Sequence, residues 1–160
     1  RPSGELPYES GGRYQARTRL HYLCYQYNAF QCMKLAWYAE AHADARARAL
    51  AVRIAGFLVG GVTAEGSVRA SCHAVLPEVV YYADAVGLAL HTVTRLGWAD
   101  HGALADRVFD WVLSRQRADG GFPFSRGDYL VLADRNAYPR YLATTLYHVV
   151  ERVRAAQGAR

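Results

Sequence analysis

Apolar residues recur at helical spacing in five segments of this chain. Between residues 16 and 41 they fall at Leu20, Leu23, Cys24, Tyr27, Phe30 and Leu35, close to the period of an α-helix. An alanine-rich stretch, 44–58, carries Leu50, Ile54 and Leu58 one turn apart. Residues 77–96 align Val79, Val80, Ala83, Val86, Leu90 and Val93. The cleanest patterns are 102–116, with Leu104, Val108, Trp111 and Val112, and 139–155, with Leu142, Leu146, Val149, Val150 and Val153. Pro77 and Pro139 stand at predicted first turns, where a missing N–H costs least. Asp100 is positioned to cap the fourth helix. The best strand candidate, YLVLAD at 129–134, is short and isolated. The pattern predicts an all-α fold.

The loops between these helices repeat. Three contain a glycine followed two residues later by an apolar side chain: GELPY (4–8), GSVRA (66–70) and GGFPF (120–124), with glycines 62 and 54 residues apart. The first and third align without a gap as Gly-x-apolar-Pro-aromatic. At the same offset Arg1 meets Arg117, Tyr22 meets Tyr138 and Tyr25 meets Tyr141. The repeat unit is a loop, a helix, a short connection and a second helix. Such an α-hairpin buries its apolar face only by packing against the next one. Glycine lets the chain turn sharply away from a helix end, Asp119 suits the turn, and Phe122 and Phe124 are expected to pin it down.

The turn Gln116-x-x-x-Gly120-x-Phe122 resembles the Gln-x-x-x-Gly-x-Trp repeat of squalene and hopene cyclases and related repeats of protein prenyltransferases. This chain has Phe in place of Trp, and Val62 where a second copy would have Gln. The resemblance implies an α/α toroid built from α-hairpin repeats. It also implies that Gln116 bonds helix-end backbone groups while the aromatic covers the turn. A toroid of this kind takes five to seven hairpins, and this chain has two plus a final inner helix. The single domain, 1–160, is therefore expected to be the C-terminal part of a larger toroid, completed by an upstream segment or a second chain.

Composition narrows the function classes. The chain has 160 residues, of which 52% are apolar and 21% charged, an ordinary globular balance. No apolar run approaches the ~20 residues of a membrane span. The net charge of +5 comes almost wholly from arginine, with Lys34 the only lysine, as a GC-rich genome would write it. These arginines are scattered rather than gathered into a footprint, which argues against nucleic acid. Cys24, Cys32 and Cys72 form no CxxC pair, which argues against a disulfide scaffold or ribbon-type zinc site. Free buried thiols fit a reducing, cytoplasmic setting.

In a toroid, inner helices begin at the central cavity, and three polar-aromatic clusters would converge there. The first holds His21, Tyr22, Tyr25, Gln26 and Asn28. The second holds His73, Glu78, Tyr81, Tyr82 and Asp84. The third holds Asp134, Arg135, Asn136, Tyr138, Arg140 and Tyr141. We take His21, His73, Glu78, Asp134, Arg135 and Tyr138 as candidate catalytic groups. Tyr22, Tyr25, Asn28, Tyr81, Tyr82, Asn136, Arg140 and Tyr141 are candidate substrate contacts.

The turn resemblance leads toward terpene cyclase or prenyltransferase-like chemistry, in which aromatic faces stabilise carbocations. The cyclases' acid sequence, Asp-x-Asp-Asp, is absent from this stretch. The polarity of the clusters favours the alternative, a carbohydrate-active toroid such as a polysaccharide lyase, uronyl epimerase or glycoside hydrolase. There Tyr and His serve as base and acid, and Arg135 or Arg140 neutralises a carboxylate. Hydrolysis would instead need a carboxylate pair such as Glu78 and Asp134. A non-catalytic binding module is the third reading. The expected partner is a small molecule or glycan. No cofactor is predicted; zinc held by Cys72 and His73 with Cys24 or Cys32, loosely similar to the site of lanthionine cyclases, is the alternative.

Overall fold

The computed structural model describes residues 24–71, 74–126 and 136–158. Among them the chain is mostly helical. Helix α1 spans Tyr25–His42 and α2 spans Ala45–Val59. Strands β1 (Arg69–Ser71) and β2 (Ala74–Val79) lead into α3 (Val80–Arg95). Helix α4 (Gly102–Leu113), strand β3 (Ser125–Arg126) and α5 (Pro139–Gly158) follow. Helix α1 packs against α2 and α3, and α3 packs against α4 and α5. The first helix of each hairpin thus lies beside the first helix of the next, as hairpin repeats require.

Local chemistry explains the boundaries. Asp44 caps α2 by accepting from the N–H groups of Arg46 and Ala47, both at 2.9 Å. Pro139 begins α5 as its missing N–H allows. Two expected boundaries differ. Pro77 lies in β2 rather than in a first helical turn, and α3 begins at Val80. The register pairs Glu78 and Val79 with β3 and leaves Pro77 outside the paired positions, where a strand tolerates proline. Asp100 does not cap α4: the N-cap is His101, whose N–H donates to Thr94 Oγ1 at 3.0 Å.

The three strands form a small antiparallel sheet in the order β1-β2-β3. The sequence pattern did not mark it, because β1 and β3 are only three and two residues long and the six of β2, AVLPEV, include a proline and do not alternate. The candidate at 129–134 lies outside the described residues.

Both described repeat loops use a left-handed glycine: Gly66 at φ +94° and Gly120 at φ +81°. Two residues on, Val68 is fully buried and Phe122 packs on the main core. The Gly66 turn is pressed onto α4, where a Cβ would lie 2.4 Å from the Arg107 carbonyl oxygen. In the second loop Gln116 Nε2 donates to the Gly120 carbonyl at 3.1 Å. Its acceptor is thus inside its own turn.

The main core joins α1 to α4. Ile54, Leu58, Val86, Leu90, Val93, Val108 and Val112 have no exposed surface, and each such side chain contributes roughly 1.5–3 kcal/mol. On α1 the buried face is Tyr25, Ala29, Cys32, Met33 and Ala36. It is a face of mostly small residues, not the row through Tyr27 and Leu35, and Tyr27 is 47% exposed. On α5 the deeply buried residues are Thr145 and His148, while Leu146 and Val153 face outward.

Candidate functional site

The short sheet sits where α3 begins. Phe124, just before β3, accepts from the Val80 N–H at 3.1 Å and donates its own N–H to the Asn136 carbonyl at 3.0 Å. These two bonds tie the third repeat loop to the first turn of α3 and to the approach to α5. An aromatic cluster forms there. Tyr81 stacks on Tyr141 with centroids 4.1 Å apart, and Phe124 contacts both, at 5.3 and 4.8 Å. Tyr82 meets Tyr81 edge-on at 4.8 Å. Tyr138 meets Phe124 and Tyr141 edge-on at 5.7 and 5.9 Å. Burial pushes the Tyr81 phenol up from its ordinary value, and hydroxyl contacts with Tyr82 and Tyr141 push it further. Tyr81 is therefore a neutral hydroxyl at any physiological pH.

Glu78 lies in β2, three residues before Tyr81. The register sets it opposite Arg69 on one side and Arg126 on the other. Its Oε2 is buried, with no hydrogen-bond partner among the described residues. Arg140 lies at the start of α5 with its guanidinium 5.9 Å from the Tyr141 ring centre.

Further along the same two helices, one turn on α3 and two on α5, lies a buried acid–histidine pair. Asp84 Oδ1 and His148 Nδ1 are 2.8 Å apart, and the side chains are 0% and 2% exposed. Burial raises the Asp84 pKa; His148 is the main opposing influence, followed by Thr145 and the Ala85 amide. Asp84 Oδ2 has no partner within bonding distance among the described residues. Asp84 belongs to the second polar-aromatic cluster of the sequence. His148 went unnoticed there, although it lies seven residues after Tyr141, two turns along the same face of α5.

Two pockets lie between α1 and α5 and share Trp37; α3 lines only the second. One of about 400 Å³ is lined by Phe30, Met33, Lys34, Trp37, Tyr147 and His148, among others. The other, about 510 Å³, shares Trp37 and continues past His91, Arg95, Glu151 and Arg154.

The structure therefore brings together Tyr81, Tyr82, Tyr138, Arg140 and Tyr141 of the sequence candidates, with Asn136 adjoining through its backbone; Glu78 lies in β2 ahead of them, and it is Val79, not Glu78, that packs in the cluster. It sets Tyr25 and Asn28 elsewhere. Tyr25 stacks on Phe57 at 4.9 Å within the main core, and Asn28 Nδ2 donates to the Cys24 carbonyl at 3.0 Å. His21, Tyr22, His73, Asp134 and Arg135 lie outside the described residues, as does Cys72. The two described cysteines are separately engaged. Cys24 Sγ accepts from the Tyr27 N–H, and Cys32 Sγ donates to the Ala51 carbonyl, both at 3.4 Å. Burial pushes their thiols up to about 11 and about 12. Among the described residues no three His, Cys, Asp or Glu side chains gather to hold a metal, and no helix is long and apolar enough to cross a membrane.

Comparison with protein-family profiles, with curated proteins and with solved structures finds no match to this chain.

Proposed function

We propose that the chain is a carbohydrate-active domain of the α/α-toroid kind, binding a saccharide over the shared end of α3 and α5. The carrying observation is the Tyr81 hydroxyl, set against those of Tyr82 and Tyr141, at the helix start that follows the carboxylate of Glu78 in β2. The rings of Tyr81, Tyr141 and Phe124 turn their faces on one another. A carbocation needs open aromatic faces, whereas this cluster offers hydroxyls, the donors and acceptors that sugar hydroxyls require. Exposed Tyr138 supplies a ring for a sugar face. Arg140 supplies a guanidinium for a uronate carboxylate, and Glu78 supplies acid–base capacity.

The toroid reading is supported by the row α1, α3, α5 of first helices, with α2 and α4 paired to α1 and α3. Further hairpins, from upstream sequence or another chain, would continue that arc. A terpene cyclase or prenyltransferase-like activity is the second reading, favoured by the Gln116–Gly120 turn.

Titration calorimetry of the chain with tetragalacturonate and with farnesyl diphosphate separates the two. The saccharide reading expects heat with tetragalacturonate that Tyr138→Ala and Arg140→Ala each weaken. Binding of the diphosphate alone transfers the assignment to the second reading. Heat from neither ligand removes both.

A further inference from the structure

The two pockets between α1 and α5 lie beyond the helix starts, and a single sugar bound at those starts does not use them. We infer, on the saccharide reading above, that the ligand is a polyuronate chain that runs from the helix starts along α5 and through both pockets. Arg140, Thr144, Tyr147, Glu151 and Arg154 recur every three or four residues of α5, the spacing of one helix face. Arg140 begins this stripe beside the aromatic cluster. Thr144 and Tyr147 line the pocket of about 400 Å³, and Glu151 and Arg154 line the one of about 510 Å³. Trp37 of α1 borders both, so the two spaces adjoin. At the rise of an α-helix the stripe is about 21 Å long, longer than a disaccharide, and it fits an extended ligand.

The lining matches the chemistry of such a chain. Tyr147 is 48% exposed, and with Phe30 and Trp37 of α1 in the same pocket it offers rings to the apolar faces of sugars. Charged groups follow. Arg154 bonds Glu151 at 3.0 Å, and Arg95 of α3 bonds Glu40 at 3.1 Å. A guanidinium has more N–H groups, and a carboxylate more lone pairs, than these bonds use, so the pairs retain both donors and acceptors for sugar hydroxyls. An apolar ligand or the apolar face of a helix would cover those groups without answering them, at a cost in free energy. Arg140 and Arg154 set one guanidinium near each end of the stripe. Lys34 is exposed beside Trp37, with Nζ 4.6 Å from its ring centre. A polyuronate repeats a carboxylate along its length and answers all three cations, and charge-assisted hydrogen bonds of this kind are the strong ones.

The test compares digalacturonate with hexagalacturonate by calorimetry. The hexamer is expected to bind about tenfold more tightly, the scale of one added hydrogen bond to a charged group. Tyr147→Ala, a change at an exposed side chain, is expected to bring the hexamer down to the affinity of the dimer. Lys34 is the only lysine of the chain, so reductive methylation with isotope-labelled formaldehyde gives a single lysine signal by NMR. The hexamer is expected to shift that signal and the dimer to leave it in place. A hexamer that binds no more tightly than the dimer, a gain that survives Tyr147→Ala, or an unmoved Lys34 signal would each overturn the path along α5 while leaving the site at the helix starts. Binding of neither saccharide would remove that site and the path with it.

Discussion

Helix α3 has a neighbour of its own kind on either side, and it meets the two with opposite chemistries. Toward α1 the shared core is small and apolar: Ala29, Cys32, Met33 and Ala36 are buried in one cluster with Val86, Ala89, Leu90 and Val93. Toward α5 the contacts are polar. Tyr81 stacks on Tyr141, Asp84 bonds His148, and His91 feels the charge of Arg152. These positions, 81, 84 and 91 on α3 and 141, 148 and 152 on α5, follow the three- and four-residue steps of a packed helix seam. The first interface is one any hairpin repeat would use. The second sacrifices apolar contact for groups that chemistry can employ.

The largest effect should come from breaking the polar seam on one side only. His148→Leu strands Asp84 in the interior, and leaving a buried polar group without its partner costs about 1–3 kcal/mol. The double change Asp84→Leu/His148→Leu replaces the pair with apolar volume and should recover most of that loss, or exceed the original stability. Urea unfolding of the three proteins decides the matter. If the single and double variants are equally mild, the pair is not what sets this interface apart.

The apolar interface should fail differently. Ala36 is fully buried on α1, and Ala36→Leu forces added volume into a filled core at a cost of about 1–3 kcal/mol. Ligand affinity at the α3–α5 end should be unchanged in the folded fraction. Reduced affinity there would show that the two interfaces are mechanically joined.

The two repeat loops sharpen the comparison at smaller scale. Gly66 and Gly120 share a left-handed backbone, so alanine costs each about 1–2 kcal/mol. Gly66→Ala must also push a Cβ into the Arg107 carbonyl, whereas Gly120→Ala meets nothing within 4 Å. Thermal unfolding should therefore rank Gly66→Ala clearly below Gly120→Ala. Equal midpoints would mean that the Gly66 turn shifts off α4 at no cost.

Much of the helical layout could be read from periodicity, because Ile54, Leu58, Val86, Leu90, Val108 and Val112 are large apolar residues at helical steps and all are buried. The loop glycines were legible too, since no other residue takes their backbone cheaply. Faces built from other residue types were not. On α1 alanine and cysteine carry the contact, and on α5 Thr145 and His148 do, so a search for large apolar side chains selected Tyr27, Leu146 and Val153, which are exposed. The aromatic cluster was foreshadowed by Tyr81, Tyr82, Tyr138 and Tyr141, whose repeat positions fall at helix starts. The Asp84–His148 contact spans 64 residues, and a single sequence holds no record of such a pairing.

The gentlest probe of the polar seam is its pH response. His91 is half-buried, and its Nε2 is enclosed with no hydrogen-bond partner among the described residues. Burial lowers its pKa first, the positive charge of Arg152 next, with Arg95 adding to the effect and Asp106 opposing it. The folded chain thus holds His91 neutral below the ordinary value of 6.5, while the unfolded chain takes up a proton there. His91 contributes stability that is present above pH 6.5 and lost as pH falls through its lower folded value. Melting temperature should drop on acidification in the unaltered protein and drop less in His91→Gln. Arg152→Ala should shrink the same slope, by removing one of the charges that disfavour the imidazolium. Its cost in overall stability should be small, because its partner Asp106 is exposed and such pairs contribute about 0–1 kcal/mol. A slope that Arg152→Ala leaves untouched would remove Arg152 from the causes of the shift and leave it to burial and Arg95.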